Sequence, residues 1–142
     1  MILDIEDFHN LVGKVLMYCQ CIEHDIKHIY ALMADGGVSD NLLKIEEERW
    51  TLGQTVNELK QYDQTWDAPL FTEKDYELLF KIVHIRNYYA HTVYLTFCYL
   101  DDEKEFDYSF DKSARQLIVD EKNLSNLYAS VEEVRIRYMA LK

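Results

Sequence analysis

The segment DIEDFHNLVGKVLMYCQCIEHDIKHIYALM, residues 4–33, carries apolar side chains at steps of three and four residues. This spacing is typical of an α-helix with one buried face, because about 3.6 residues make one helical turn. The residues on that face are Phe8, Leu11, Val12, Val15, Cys19, Ile22, Ile26, Ile29 and Met33. We therefore predict a first helix from about Asp4 to Met33, and the same period elsewhere in the chain predicts an all-α fold.

The segment ADGGVSD, residues 34–40, separates the first helix from the second. Paired glycines are a common helix stop, and Ser39 or Asp40 can cap the start of the next helix. The second helix is predicted as one element that continues through NLLKIEEERWTLGQTVNELKQY, residues 41–62.

The segment DQTWDAPLF, residues 63–71, is predicted to be a loop because the residue before Pro69 avoids helical geometry. A third helix is predicted to begin at Thr72, with Asp75 three residues later as its partner in a capping box. Its apolar pattern continues to Leu100. The third predicted helix is therefore long, and it carries most of the residues discussed below.

Residues 101–111, DDEKEFDYSFD, are predicted to form an acidic connector before a last helix that reaches the C-terminus. This helix has a looser apolar spacing, given by Ala114, Leu117, Ile118, Leu124, Tyr128, Val131 and Tyr138. It counts as two helices if the chain breaks near Asn123. The sequence thus predicts a single domain, residues 1–142, that folds as a four- to five-helix bundle.

The chain carries 26 Asp and Glu residues against 15 Lys and Arg, which gives a formal net charge of −11. Such a charge argues against nonspecific binding to nucleic acid or anionic membrane. The first ten residues, MILDIEDFHN, lack the basic and apolar regions of a signal peptide. Cysteines are odd in number, and Cys19 and Cys21 are too close on a helix to face each other. We expect a cytoplasmic protein without a membrane span.

The third predicted helix is apolar on nearly every side between residues 79 and 100. It is too often interrupted to span a membrane, since its polar residues include Lys81, His84, Arg86, Asn87 and His91. A helix that is apolar on every side is buried on every side, and a small bundle rarely covers one helix completely. We therefore predict a homodimer through residues 79–100.

The same helix is where the acidic composition is interrupted, because residues 78–100 contain no Asp or Glu. His84, Asn87 and His91 share one stripe at helical spacing, with Tyr88 and Tyr94 alongside. Arg86 lies about 140° from His91 around the axis, at ~100° per residue. One helix therefore does not bring these two side chains together, whereas two helices that cross at a dimer axis can.

The pattern within RNYYAH, residues 86–91, resembles the signature of the HEPN superfamily. That signature is an Arg, a polar residue and, after four to six intervening residues, a His on a late helix of a small bundle. Here the match is Arg86, Asn87 and His91, and the bundle plan extends the likeness over most of the chain. The superfamily includes RNA-cleaving toxins and defence proteins. The resemblance implies a metal-independent endoribonuclease, without a cofactor, at a homodimer cleft.

The residues of the motif suit that chemistry. His91 can act as general base or general acid, and a twofold axis supplies two copies. Arg86 offers a permanent forked charge to a phosphate, and Asn87 can orient the imidazole or hold a phosphate oxygen. Further substrate-binding candidates on the same helix are Lys81, His84, Tyr88 and Tyr94, of which the tyrosines can stack on bases or belong to the core.

One departure from the family pattern, and the loss of catalysis in other family members, leave alternatives open. HEPN toxins that are silenced by nucleotidylation have a Tyr two residues after the His, and Val93 occupies that position here. Silencing by that route is therefore not expected, although another antitoxin or regulatory partner fits the resemblance. Other superfamily members have lost catalysis, so the alternative is a non-catalytic dimerisation or nucleotide- or RNA-binding module.

A metal-binding bundle is the rival from another class. His24 and His28 stand four residues apart on the first helix, a spacing that can chelate zinc, and Cys21 or Asp25 could complete the site. Both histidines lie about half a turn from the apolar stripe through Ile22 and Ile26. We predict that they lie on the solvated face and bind no metal.

Overall fold

The computed structural model describes residues 2–141 and contains helices but no strand in that range. Met1 and Lys142, the ends of the predicted domain, lie outside it. The elements are α1 (Ile5–Met33), α2 (Val38–Glu47), α3 (Leu52–Asp63), α4 (Glu73–His91), a 3-10 helix (Val93–Thr96) and α5 (Glu103–Leu141). The predicted all-α bundle is confirmed.

The first helix, α1, is the central element and contacts α2, α3, α4 and α5. It begins as predicted, because the Asp4 carboxylate accepts a hydrogen bond from the Asp7 backbone N–H at 2.7 Å. Its apolar stripe is buried, and the innermost residues are Phe8, Val15, Cys19, Ile22, Ile26 and Ile29. These side chains are the main contribution of α1 to the apolar core.

The prediction of one continuous second helix is wrong, because the chain turns between α2 and α3. Arg49 adopts a left-handed φ of 53°, which a helix interior excludes. Thr51 then caps α3 through a complete capping box with Gln54. The turn lets Trp50 pack with Tyr30 of α1 in a small second cluster.

The connection from α3 to α4 is organised by Asp63, which is fully buried. Its carboxylate accepts hydrogen bonds from the backbone N–H groups of Leu70 (2.7 Å) and Phe71 (3.2 Å) and from the Tyr76 hydroxyl (2.5 Å). The predicted capping box of Thr72 and Asp75 is confirmed, with both of its hydrogen bonds formed. The start of α4 is therefore fixed on both sides.

The end of α4 and the start of α5 differ from the prediction. The sequence predicts that the third helix reaches Leu100, but α4 ends at His91 and the 3-10 helix follows. The segment 101–111, predicted as a connector, is mostly the first part of α5. Asp102 caps the start of this helix, because its carboxylate accepts a hydrogen bond from the Glu105 backbone N–H. Of the two alternatives for the last helix, the structure has the unbroken one, because α5 continues through Asn123.

An aromatic cluster explains both differences. The ring of Phe97 meets those of Phe8 at 5.4 Å, Phe110 at 5.1 Å and Phe106 at 5.6 Å, with near-perpendicular planes. Phe97 reaches this cluster because the chain leaves the α4 axis after His91. Phe106 and Phe110 reach this cluster from one face of α5. Their packing there favours a helix in the acidic segment.

No helix in the described part of the chain is long and apolar enough to cross a membrane.

Candidate functional site

One face of α4 is exposed to solvent, so the prediction that this helix is buried on every side is wrong for a single chain. Leu79, Ile82 and Tyr89 are buried on the side that faces the core. The opposite side, an arc of roughly 120° at ~100° per residue, also carries the exposed Glu77 and Phe80; its predicted site residues are Lys81, His84, Asn87, Tyr88 and His91. All are exposed except Tyr88, which is half-buried. We call this set the α4 stripe.

The structure thus brings together most of the predicted site residues. His91 occupies the last position of α4, and no described side chain forms a hydrogen bond with its imidazole. Asn87 stands one turn earlier on the same side. Residues 78–91 of α4 include no carboxylate, whereas the exposed Glu77 lies one turn before Lys81 on the same side of the helix.

Arg86 does not belong to the α4 stripe. Its guanidinium forms an ion pair with the Glu23 carboxylate of α1, and the two side chains are 32% and 18% exposed. The positive charge of Arg86 is therefore already compensated within the chain. Arg86 and His91 lie on different sides of α4, as the helical spacing predicted, and the partner Glu23 was not predicted.

Cys19 lies beside this ion pair in the core. Burial raises the pKa of its thiol to about 12, with Glu23 adding to the rise and Arg86 opposing it. A thiol with so high a pKa stays protonated at neutral pH and is a poor nucleophile. The side chains on the interior side of α4 thus stabilise the fold, and the polar side chains that a ligand can reach are those of the α4 stripe.

Tyr94, a predicted substrate residue, is held by α1. Its hydroxyl lies 2.7 Å from Nδ1 of His9, and its ring packs edge-on against Phe8. Burial raises the pKa of the Tyr94 hydroxyl. This half-buried ring therefore belongs to the packing of the 3-10 helix on α1, and His9 holds it from a position 85 residues earlier in the chain.

Two cavities border the α4 stripe, one near Lys81 and one near Tyr88, and α5 contributes to the wall of both. Lys81 lines a cavity of about 320 Å³ whose wall includes Asp75, Glu77, Asn123 and Asn126. Tyr88 lines another of about 410 Å³, with Thr96, Ser109, Lys112, Ser113 and Gln116. Both are within the ~300–1,000 Å³ range of small-molecule sites, and they differ in charge. Sequence reasoning missed the α5 residues of both cavities, because spacing within α4 carries no information on what faces it.

The two histidines proposed for a metal site are engaged locally. Nδ1 of His28 lies 2.9 Å from the carbonyl oxygen of His24, and Nδ1 of His24 lies 3.2 Å from Asp25 Oδ1. Among residues 2–141, no group of three or more His, Cys, Asp or Glu side chains is arranged to hold a metal ion. Cys21 and Asp25 therefore do not complete a site with this histidine pair.

Asp25 instead joins α1 to α5 in a charged cluster that the sequence did not reveal. It is 5% exposed, and its Oδ1 lies 3.4 Å from Nε of Arg135. No N–H or O–H group of the described residues donates a hydrogen bond to its other oxygen, Oδ2. That oxygen is satisfied if the carboxyl groups of Asp25 and Glu132 share one proton. Burial, followed by that hydrogen bond, raises the pKa of Asp25, whereas Arg135 lowers the pKa of Glu132 to about 2.

Comparison with protein-family models, curated proteins and solved structures finds no match to this chain. The fold defines an all-α bundle with an exposed, carboxylate-free histidine stripe at the end of α4. The likeness to the HEPN superfamily stays a prediction that depends on Arg86, Asn87 and His91.

Proposed function

We propose that this protein is a HEPN-like, metal-independent endoribonuclease with a composite site at a homodimer cleft. The observation that carries the proposal is the position of His91: exposed, at the end of α4, in a segment (residues 78–100) without Asp or Glu in a chain of net charge −11. An anionic substrate is repelled by most of such a surface and is admitted where the negative charge is missing.

The cleavage step needs two proton transfers. One His91 imidazole takes the proton of a ribose 2′-hydroxyl, whose oxygen attacks the adjacent phosphorus. The bond from phosphorus to the 5′-oxygen breaks, and the His91 of the second protomer gives that oxygen a proton. The products are a 2′,3′-cyclic phosphate and a 5′-hydroxyl, with no net consumption of protons. Asn87, one turn before His91, orients the imidazole or holds a phosphate oxygen.

A second copy of the chain supplies the second histidine. Apolar side chains lie exposed along the same region, with Phe80 at 43%, Leu95 at 60% and Tyr99 at 80%. Large apolar side chains that remain exposed in one segment suit a protein–protein contact. The homodimer proposed here uses residues 79–100 and covers these side chains while the α4 stripes of both protomers line the cleft.

The second candidate is a non-catalytic dimerisation or RNA-binding module. The ion pair between Arg86 and Glu23 favours it, because an arginine that is already paired has less charge to offer a phosphate. In the catalytic proposal Arg86 acts on the transition state only after a dimer contact or the substrate draws it from Glu23. In the second candidate it remains a structural residue that joins α4 to α1.

The biological setting follows from the chemistry. An RNase of this kind works where RNA is present, in the cytoplasm, as a toxin or as a defence or stress effector. Its host needs protection, so an antitoxin or another regulatory partner belongs to the proposal. We propose no metal and no cofactor for the reaction.

Incubation of the protein with single-stranded RNA in excess chelator tests the proposal. We expect cleavage, with 2′,3′-cyclic phosphate ends identified by mass spectrometry, because attack by the 2′-oxygen gives that product and metal-activated water does not. RNA that is bound but stays intact would support the second candidate. Cleavage that stops in chelator would contradict both.

A further inference from the structure

The cavity beside Tyr88 lies where α4 ends, between that helix, the 3-10 helix and α5. Its wall consists of Tyr88, Thr96, Ser109, Lys112, Ser113 and Gln116, and we call it the Tyr88 pocket. Its volume of about 410 Å³ falls in the range of sites that hold a small molecule or one unit of a polymer.

The wall of the Tyr88 pocket contains no carboxylate, although the chain has 26 acidic residues. It presents one ammonium, three aliphatic hydroxyls, one carboxamide and one phenol ring. The cavity beside Lys81 has two lysines, but Asp75 and Glu77 share its wall. Of these two cavities beside the α4 stripe, the Tyr88 pocket is the one suited to an anion.

The hydrogen bonds already made in the wall leave acceptors free. The Thr96 hydroxyl donates to the Val93 carbonyl at 2.6 Å, so Ser113 must be the donor across the 3.2 Å contact with Thr96. Ser113 is 7% exposed and keeps its lone pairs. Nε2 of Gln116 donates to Asp120 at 3.0 Å, which leaves its carbonyl oxygen as an acceptor.

The pocket is adjacent to the proposed reacting group. Tyr88 and His91 stand three residues apart on α4, which places their Cβ atoms ~5–6 Å from each other. Tyr88 is half-buried, and its ring meets that of Tyr89 edge-on at 5.1 Å. An aromatic side chain that is held on one side by the fold is suited to stack on a base with its remaining surface.

We propose that the Tyr88 pocket binds one nucleotide of single-stranded RNA next to the bond that is cleaved at His91. Lys112 binds the phosphate, Tyr88 stacks on the base, and the acceptors of Ser113 and Gln116 take hydrogen bonds from N–H groups of the base. This inference rests on the proposed function for its choice of RNA, and it adds α5 to the site.

Equilibrium binding of a short fluorescent single-stranded RNA, in chelator, tests the proposal. Lys112→Ala should weaken binding roughly 10- to 100-fold, the effect of one charge-assisted hydrogen bond. Tyr88→Leu should weaken it roughly 5- to 100-fold, and Tyr88→Phe much less, since the stacking ring remains. Lys122→Ala is the matched control, because Lys122 is exposed on α5 outside the pocket and its loss changes the net charge equally.

The outcomes separate this inference from the proposed activity. Suppose that the wild-type protein cleaves RNA while Lys112→Ala and Tyr88→Leu bind it as tightly as Lys122→Ala does; the pocket proposal is then overturned and the nuclease stands. Selective weakening in a protein that binds but never cleaves supports the pocket and removes the nuclease. A wild-type protein that binds no RNA overturns the pocket as well.

Discussion

Arg86 and Glu23 form an ion pair between α4 and α1, on the side of α4 that faces away from the α4 stripe. Helical spacing placed Arg86 away from His91, and the structure agrees. The partner could not be predicted, because Glu23 lies 63 residues earlier in the chain and nothing in the spacing of α1 marks it. An ion pair between two helices can be predicted only when the packing of those helices is known. The relative positions of residues on one helix, in contrast, follow from their spacing in the sequence.

The first prediction concerns this pair. Arg86→Ala should reduce the free energy of unfolding by roughly 1–3 kcal/mol, because Glu23 is left mostly buried without its partner. Urea denaturation followed by Trp fluorescence measures the change, and Arg115→Ala, at an exposed arginine on α5, is the control. Equal stabilities for Arg86→Ala and the control would show that the pair contributes nothing to folding.

This prediction also affects how an activity assay is interpreted. A loss of activity in Arg86→Ala counts as a loss of catalysis only under conditions in which the variant is fully folded. The double variant with Glu23→Ala completes a cycle, because removal of both charges should restore part of the stability that Arg86→Ala loses.

The second prediction concerns Asp25, whose pKa burial raises. A carboxyl with a raised folded-state pKa gives stability that is fully present below its unfolded pKa, near 3.8, and is lost as the pH rises through the folded value. An asparagine side chain at this position would stay neutral and could donate to Glu132 as the shared proton does. Asp25→Asn should therefore gain stability relative to the wild type as the pH rises from 4 to 7.

Denaturation of both proteins at several pH values measures that gain. Glu132 changes with the opposite sign: its lowered pKa, about 2, gives stability above its unfolded value that is lost as the pH falls. Comparison of variant with wild type at each pH leaves Asp25 as the group that differs. A stability difference that is constant from pH 4 to 7 would contradict the shared-proton arrangement.

At the level of elements, sequence periodicity predicted α1 well and the start of α4 to the residue. Both have strong local signals: a long apolar stripe, and the pair Thr72 and Asp75. The division of α2 from α3 also had a local signal, the pair Thr51 and Gln54, but the helical pattern on either side obscured it. A capping box inside an apparently continuous helical pattern is therefore better interpreted as the start of a new helix.

The other errors have a tertiary cause. The apolar pattern of α4 continues past His91, but the chain turns there so that Phe97 can join the aromatic cluster with Phe8 and Phe110. The acidic segment 101–111 has few apolar residues, yet Phe106 and Phe110 face that cluster. Local composition therefore favoured a loop, and packing against Phe97 favours a helix.

The third prediction tests the connection from α3 to α4. Asp63→Asn should lower stability by roughly 2–4 kcal/mol, since Oδ1 accepts from Leu70 and Oδ2 from Phe71 and Tyr76, and one of these two acceptors becomes an amide N–H₂ group. Asp67→Asn is the matched control, because Asp67 lies exposed in the same loop. Thermal unfolding distinguishes them, and similar melting temperatures would mean that Asp63 is not the organising residue.

For the whole molecule, the predicted all-α bundle is confirmed, whereas its assembly stays a prediction. The shared side of His84, Asn87, Tyr88 and His91 could be predicted because they lie on one helix, whereas its exposure could not, because the helix is apolar enough to predict burial on every side. The α5 wall of the Tyr88 pocket could not, since residues such as Lys112 and Ser113 meet Tyr88 through packing alone.

The fourth prediction tests the homodimer. Light scattering at micromolar concentration should give the mass of two chains for the wild type and of one chain for Leu95→Glu, because a buried unpaired carboxylate opposes association. Ile136→Glu should stay dimeric, since Ile136 is about as exposed, at 56%, but lies on α5 outside residues 79–100. A wild-type monomer, or dissociation caused by Ile136→Glu alone, would place the interface elsewhere or remove it.

The most direct test of the nuclease is the rate at which His91→Ala cleaves single-stranded RNA in chelator. Loss of a general acid or base should lower the rate on the order of 10²–10⁴-fold, while circular dichroism shows an unchanged fold. His28→Ala, at a partly exposed histidine of α1 outside the α4 stripe, should cleave as the wild type does. If His91→Ala cleaves as fast as His28→Ala, His91 is not the catalytic group and the nuclease proposal fails.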